Sequence, residues 1–183
     1  MSADAGFDQW LANSRVKISA TYFYTNLQDT ILFDFSGLIP PDDPFGRFGG
    51  YVNNRGGLAR GTEISVQAQP ARGTAINASY TYTDSRDARR WDNEGRIDRS
   101  PGLSDNTFTL LVTQWLGRRV NFTFDMIAVD SYLTRYSTAV GTRPFELDGY
   151  VKADLTGRYV LPLTESKNLE FFGKVDNVFD QDL

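Results

Sequence analysis

Apolar and polar residues alternate strictly along the middle of the chain. Thr62, Ile64, Val66 and Ala68 fall on one side, and Glu63, Ser65, Gln67 and Gln69 on the other. After Pro70-Ala71-Arg72-Gly73, the positions Thr74, Ile76, Ala78, Tyr80 and Tyr82 alternate with Ala75, Asn77, Ser79, Thr81 and Thr83. A period of two predicts two strands joined by a short turn, a β-hairpin. One face is apolar and ends in two tyrosines; the other is small and polar. A water-soluble sheet alternates too, so this pattern alone does not name the solvent on the apolar side.

The same period recurs along the chain and predicts strands at about 14–35, 52–69, 73–84, 105–116, 119–130, 147–161 and 168–178. Residues 1–12 read as a short, poorly ordered lead-in. Asn26-Leu27-Gln28-Asp29 interrupts the first strand and predicts a bulge near Gln28, with a tight hairpin as the alternative. Residues 36–51 are rich in Pro and Gly, 84–104 are charged and aperiodic, and 131–146 lack a clear period; all three read as long loops. The turns at 70–73, 117–118 and 162–167 are short. The connections therefore run long and short in strict alternation, so each kind collects at one edge of the sheet. Short turns on one side and long loops on the other are the habit of outer-membrane barrels. Tyr22, Tyr24, Tyr80 and Tyr82 lie toward the long-loop ends of their strands and Tyr159 and Phe171 toward the turn ends, as two aromatic girdles would. Trp115 shares parity with Thr113 on the polar face, so either a bulge flips it or it lines the floor of the lumen.

Composition narrows the classes. The chain has 183 residues, enough for one domain, with 40% apolar and 14% aromatic residues and a net charge of −4. Its basic residues are scattered, which argues against nucleic acid as a partner. No run of 18 apolar residues exists to form a membrane helix. A barrel strand crosses with about 9–11 residues and escapes that test. MSADAGFDQW has neither a basic nor an apolar leader segment, so the expectation is a fragment of a longer chain.

Two groups of residues carry a resemblance. Asn54-Arg55-Gly56, Gly61-Thr62-Glu63 and Tyr80-Thr81-Tyr82-Thr83-Asp84 follow one another in order, and Val175-Asp176-Asn177-Val178-Phe179-Asp180 closes the chain. The segment resembles the C-terminal barrel of TonB-dependent outer-membrane receptors, with Asn54, Gly56, Gly61, Glu63, Tyr80, Tyr82, Asn177 and Phe179 at the motif positions. The resemblance implies an all-β fold: an antiparallel up-and-down transmembrane barrel segment of seven long strands from a barrel of about 22. The plug domain and the final strand are then outside the chain. It also implies an outer-membrane location in lipid, energy from the TonB–ExbB–ExbD system, and uptake of a scarce, bulky nutrient, most often a ferric siderophore. Asp29-Thr30-Ile31-Leu32-Phe33 looks like the family's TonB box but is read as strand, because barrel strands follow it directly.

Candidate chemistry is sparse. With no His and no Cys there is no Ser-His-Asp triad, Cys-His pair or His-ligated metal site, and no enzymatic activity, cofactor or metal is expected. The carboxylates Glu63, Asp125, Asp154, Glu170 and Asp176 all take the polar face, where Lys152, Arg158 and Lys174 offer cross-strand partners. The loop residues Arg86, Arg89, Arg90 and Trp91, and Tyr132, Arg135, Tyr136 and Arg143, combine guanidinium and aromatic groups. That chemistry suits an anionic iron chelate. Asp92-Asn93-Glu94-Gly95 lacks calcium-loop spacing and reads as a charged turn. The alternatives are a soluble β-barrel or sandwich, with Ile64, Val66, Ile76 and Tyr80 turned inward as its core, and another porin-type outer-membrane barrel.

Overall fold

The computed structural model describes residues 1–34, 44, 50–87, 98–138 and 141–181. Among the described residues thirteen strands occur in chain order: β1 (Ser2–Leu11), β2 (Val16–Asn26), β3 (Asp29–Asp34), β4 (Gly50–Arg55), β5 (Gly57–Ala68), β6 (Thr74–Asp87), β7 (Asp98–Arg99), β8 (Asn106–Leu116), β9 (Val120–Val129), β10 (Tyr132–Thr138), β11 (Gly141–Leu147), β12 (Tyr150–Thr164) and β13 (Lys167–Val175). The main sheet is an antiparallel meander ordered β1-β2-β5-β6-β8-β9-β12-β13, with β7 added on β6. Its two end strands are not paired to each other, so the sheet is open.

The register carries the alternation from strand to strand. Ile64 lies opposite Ala20 on β2 and Tyr80 on β6, and Tyr80 lies opposite Phe108. Phe108 faces Ala128, and Ala128 faces Val151. Paired residues point the same way, so one row of apolar side chains crosses six strands. The neighbouring row, Glu63 between Thr21 and Thr81, belongs to the polar face. Among the described residues the only buried hydrophobic residue is Ala153. Ile64 is 41% exposed, Phe122 44% and Phe171 54%. The apolar face is thus a surface and not a core.

Four expectations need correction. Residues 1–12 are no loose lead-in: β1 pairs along its whole length with β2, from Ser2 opposite Thr25 to Leu11 opposite Val16. Asp8 forms an ion pair with Lys17 at 3.0 Å, and the Lys17 ammonium sits 5.1 Å from the centre of the Trp10 ring. The main sheet therefore has eight consecutive strands instead of seven. No bulge forms near Gln28, nor any hairpin at Asn26–Asp29. Asn26 faces Leu58 and Asp29 faces Arg55, three steps later on both strands, so no residue is extra. Leu27 and Gly57 exchange N–H···O bonds of 2.9 and 3.0 Å across the gap.

Last, the segment 131–146 is largely a hairpin instead of a loop. Val129 faces Tyr150 and Tyr132 faces Leu147, so β10 and β11 extend β9 and β12 in unbroken register. The other two expected loops are also partly strand. Gly50 and Tyr51 belong to β4, β6 runs on to Asp87, and Asp98 and Arg99 pair with it. The long-loop edge is therefore built up by hairpins that continue the sheet.

Candidate functional site

The functional surfaces are the two faces and the long-loop edge, and glycines set how closely their strands approach. A Cβ built on Gly61 would lie 1.9 Å from the Tyr82 carbonyl oxygen and 2.7 Å from the Phe23 ring. Phe23 is the register partner of Gly61, and its ring covers the bare backbone. A Cβ on Gly56 would lie 1.7 Å from the Leu27 carbonyl oxygen. Close packing thus accounts for two of the motif positions. Asn54, another of them, lies in β4 opposite Thr30.

Along the apolar face the tyrosines form a row. Tyr22, Thr62, Tyr82 and Asn106 are successive register partners. Tyr80 donates its phenolic O–H to Asn106 Oδ1 at 2.6 Å, and Asn106 Nδ2 donates to Asp130 at 2.9 Å. That bond, together with the Ser131 N–H, holds the Asp130 carboxyl below the usual carboxylate range. Below this row the apolar-face positions of β2, β5, β6, β8, β9 and β12 carry no charge; Arg60, Asp84 and Arg86 lie above it. At the short-turn end Tyr159 and Phe171 are register partners.

The polar face carries the carboxylates, as expected. Arg158 pairs with Glu170, Lys174 pairs with Asp176 and with Asp154 at 3.0 Å, and Lys152 lies 3.9 Å from Asp154. Glu63 and Asp125 have no ion pair among the described residues. A shallow recess of about 520 Å³ runs along this face beside Gln67, Asn77, Ser79, Thr109, Leu111 and Asp125. Trp115 lines the same face near the short turns. Its pairing with Asn121 leaves the register unbroken, so no bulge flips it. Trp10 joins it there, a residue whose contribution the sequence hid because its strand went unread.

The closing motif is a strand stop. Asn177 adopts a left-handed φ of 52° and its N–H donates to Asp154 Oδ1 at 2.9 Å. Its side chain exchanges bonds with the Gln181 backbone at 2.8 and 3.3 Å. Asn tolerates this conformation better than most residues. The strand expected over 168–178 ends at Val175 for this reason. Phe179 beyond it is 54% exposed.

The residues expected to touch a ligand divide into three groups. Arg89, Arg90 and Trp91 lie outside the described residues. Tyr132 starts β10, is half-buried and bridges to Ser104; Arg135 faces Pro144, and Tyr136 faces Arg143, in the β10–β11 hairpin. Arg86 stands apart at the top of β6, on the apolar side of the sheet and bonded to Asp84.

An open antiparallel meander with an uncharged, exposed face below a tyrosine row and a polar opposite face is a section of transmembrane β-barrel wall. A family model described as TonB dependent receptor-like, beta-barrel, matches residues 1–178, and the chain belongs to that family. No curated protein matches the sequence. Among solved structures, the ferripyoverdine receptor of the outer membrane of Pseudomonas aeruginosa, bound to ferripyoverdine, is 18% identical with a TM-score of 0.72 over 98% of this chain and 23% of its own. The ferric-catecholate import receptor Fiu of E. coli K12 is 21% identical, with a TM-score of 0.70 over 99% of this chain and 23% of its own. The copper transporter OprC is 17% identical, with a TM-score of 0.64 over 99% and 26%. The chain thus spans about a quarter of the receptors it matches, and at these identities the likeness is one of fold.

Proposed function

We propose that this chain is part of the barrel of an outer-membrane receptor in a Gram-negative bacterium. The receptor takes up a scarce, bulky nutrient by active transport driven through TonB–ExbB–ExbD, and the cargo is a ferric siderophore. The observation that carries the reading is the separation of faces. The apolar face meets lipid, the polar face lines the lumen, and the extended hairpins rise outside the cell. Glu63 and Asp125, without an ion pair among the described residues, and the recess that Asp125 lines suit contact with a plug domain held in the lumen. In this reading the β10–β11 hairpin, whose sequence includes Tyr132, Arg135, Tyr136 and Arg143, supplies the chelate contacts, since guanidinium and aromatic groups suit anionic chelates. Of the three solved structures named above, two are receptors for iron chelates and the third is a copper transporter, so the cargo assignment rests on the rim chemistry. The role is transport and involves no catalytic step.

The test is uptake by cells that depend on the receptor containing this chain. Labelled ferric siderophore enters when the receptor and TonB are both present and stops when either is removed. The R135A/Y136A/R143A variant reduces uptake while the receptor still reaches the outer membrane. Iron uptake indifferent to the receptor, with uptake of another nutrient lost in its place, would overturn the siderophore assignment and leave the transport reading standing.

A further inference from the structure

We propose that Arg60 and Arg86 form a binding site for a lipid phosphate of the outer leaflet, on the outside of the barrel wall. The proposal rests on the membrane reading above and adds a ligand that the uptake function does not involve. Arg60 and Asp84 are direct register partners on β5 and β6, and Arg86 is two residues beyond Asp84 on the same face. Arg60 Nε and Nη2 donate to Asp84 Oδ2 at 3.1 and 3.0 Å, and Arg86 Nε donates to Oδ1 at 2.8 Å. One carboxylate therefore orients two guanidinium groups and neutralises only one of them. The Asp84 side chain is 13% exposed, against 49% for Arg60 and 51% for Arg86, so the anchor is covered and the cations face out.

Position and charge name the ligand. The three residues sit just above the row Tyr22, Thr62, Tyr82 and Asn106, and Tyr24 is the other register partner of Arg60. Tyrosines of a barrel girdle lie at the headgroup level, so this height is where lipid phosphates are found. Guanidinium binds phosphate oxygens through paired N–H donors, more strongly than a point charge would. Two carboxylates at this level, Asp105 and Asp130, are already engaged: Asp105 by Arg99 at 3.1 Å, and Asp130 by Asn106 and Ser131. The net positive charge of the cluster comes from its own make-up, two guanidinium groups on the one Asp84 carboxylate. A row of charges at this place is otherwise hard to explain on a face that carries none further down.

The receptor containing this chain, reconstituted in phosphatidylcholine nanodiscs, is titrated with diphosphoryl lipid A and with the same lipid stripped of phosphate. Native mass spectrometry counts the bound lipid. R60Q/R86Q is expected to hold the diphosphoryl lipid about tenfold less well than wild type, the scale of one lost charge-assisted hydrogen bond. The phosphate-free lipid is expected to bind both proteins alike. D84N is expected to retain the diphosphoryl lipid, because both guanidinium groups remain. Equal retention by R60Q/R86Q and wild type would overturn the site. Loss in D84N as large as in R60Q/R86Q would reduce the cluster to an internal ion pair, and displacement by inorganic phosphate would make it a free-anion site. Failure of the wild-type receptor to enter nanodiscs would overturn the membrane reading itself, a result distinct from insertion without lipid retention.

Discussion

Single residues show how tightly this sheet is specified. At Gly61 a methyl group would collide with the Tyr82 carbonyl, which belongs to a ladder and cannot swing aside. Gly61→Ala is therefore expected to destabilise the folded receptor by about 2–3 kcal/mol. Gly173 gives the control, since nothing lies within 4 Å of its Cβ position, and Gly173→Ala should be neutral or stabilise by up to about 1 kcal/mol. Urea unfolding followed by heat-modifiable migration in gels reads both; an equal response at the two glycines would contradict the close-approach argument. Ala12 offers the opposite case. It begins the turn between β1 and β2 with φ of 51°, followed by Asn13 and Ser14 at 55° and 64°. Ala12→Gly should release about 1 kcal/mol of left-handed strain, visible as a higher urea midpoint. None of this strain was legible in sequence, because Ala-Asn-Ser does not announce three left-handed residues.

Strands and hairpins differ in how plainly the sequence marks them, for physical reasons. Alternation is clean from Thr62 to Ala68 and from Thr74 to Tyr82, as expected of a wall with lipid on one face and a polar lumen on the other; in β8 and β9 the polar face also carries Leu111, Trp115, Ile127 and Val129. β1 escaped notice because Gly6 and Gln9 break its pattern and Trp10 stands on the polar face; what orders it is pairing with β2. The β10–β11 hairpin escaped because above the membrane both faces of a hairpin meet water, and the polarity signal disappears. What remains is a register inherited from β9 and β12. At the other end, Asn177 ties down the stretch after β13. Asn177→Ala removes both side-chain bonds to Gln181 and puts a less tolerant residue at φ of 52°, a loss of about 1–2 kcal/mol in local stability. Hydrogen exchange should then accelerate at Val178, whose N–H bonds the Ala153 carbonyl at 2.7 Å, and stay unchanged in β5 and β6.

The chain as a whole is a section of barrel wall, and its energetics follow from having two differently solvated faces. With Ala153 the only buried hydrophobic residue described, the sheet holds together through its ladders and stays in place through lipid on its apolar face. A soluble barrel needs that face packed inward, and here Ile64, Tyr80 and Leu155 stand open instead. The resemblance in the motif residues and the sorting of long and short connections made the class legible early. The cargo was not legible, because the rim chemistry lies where polarity patterning fails. A cation tests the two faces directly. Val66→Lys, on the lipid side, should cost about 2–4 kcal/mol and impair membrane assembly, whereas Ser65→Lys, on the lumen side, should be tolerated. Yields in the outer-membrane fraction would separate them.

The most direct measurement uses the absence of cysteine from these 183 residues, with any cysteine elsewhere in the receptor replaced. Single cysteines placed in turn from Thr62 to Ala68 and from Thr74 to Tyr82 in the assembled receptor would carry a nitroxide label. Relaxation by oxygen, which concentrates in lipid, is compared with relaxation by a water-soluble nickel complex. Oxygen should dominate at Ile64, Val66, Ala78 and Tyr80, and give way at Ser65, Gln67, Asn77 and Ser79, with a period of two through both strands. Even-numbered positions shielded from both reagents would mean a packed core, and would contradict the barrel-wall account.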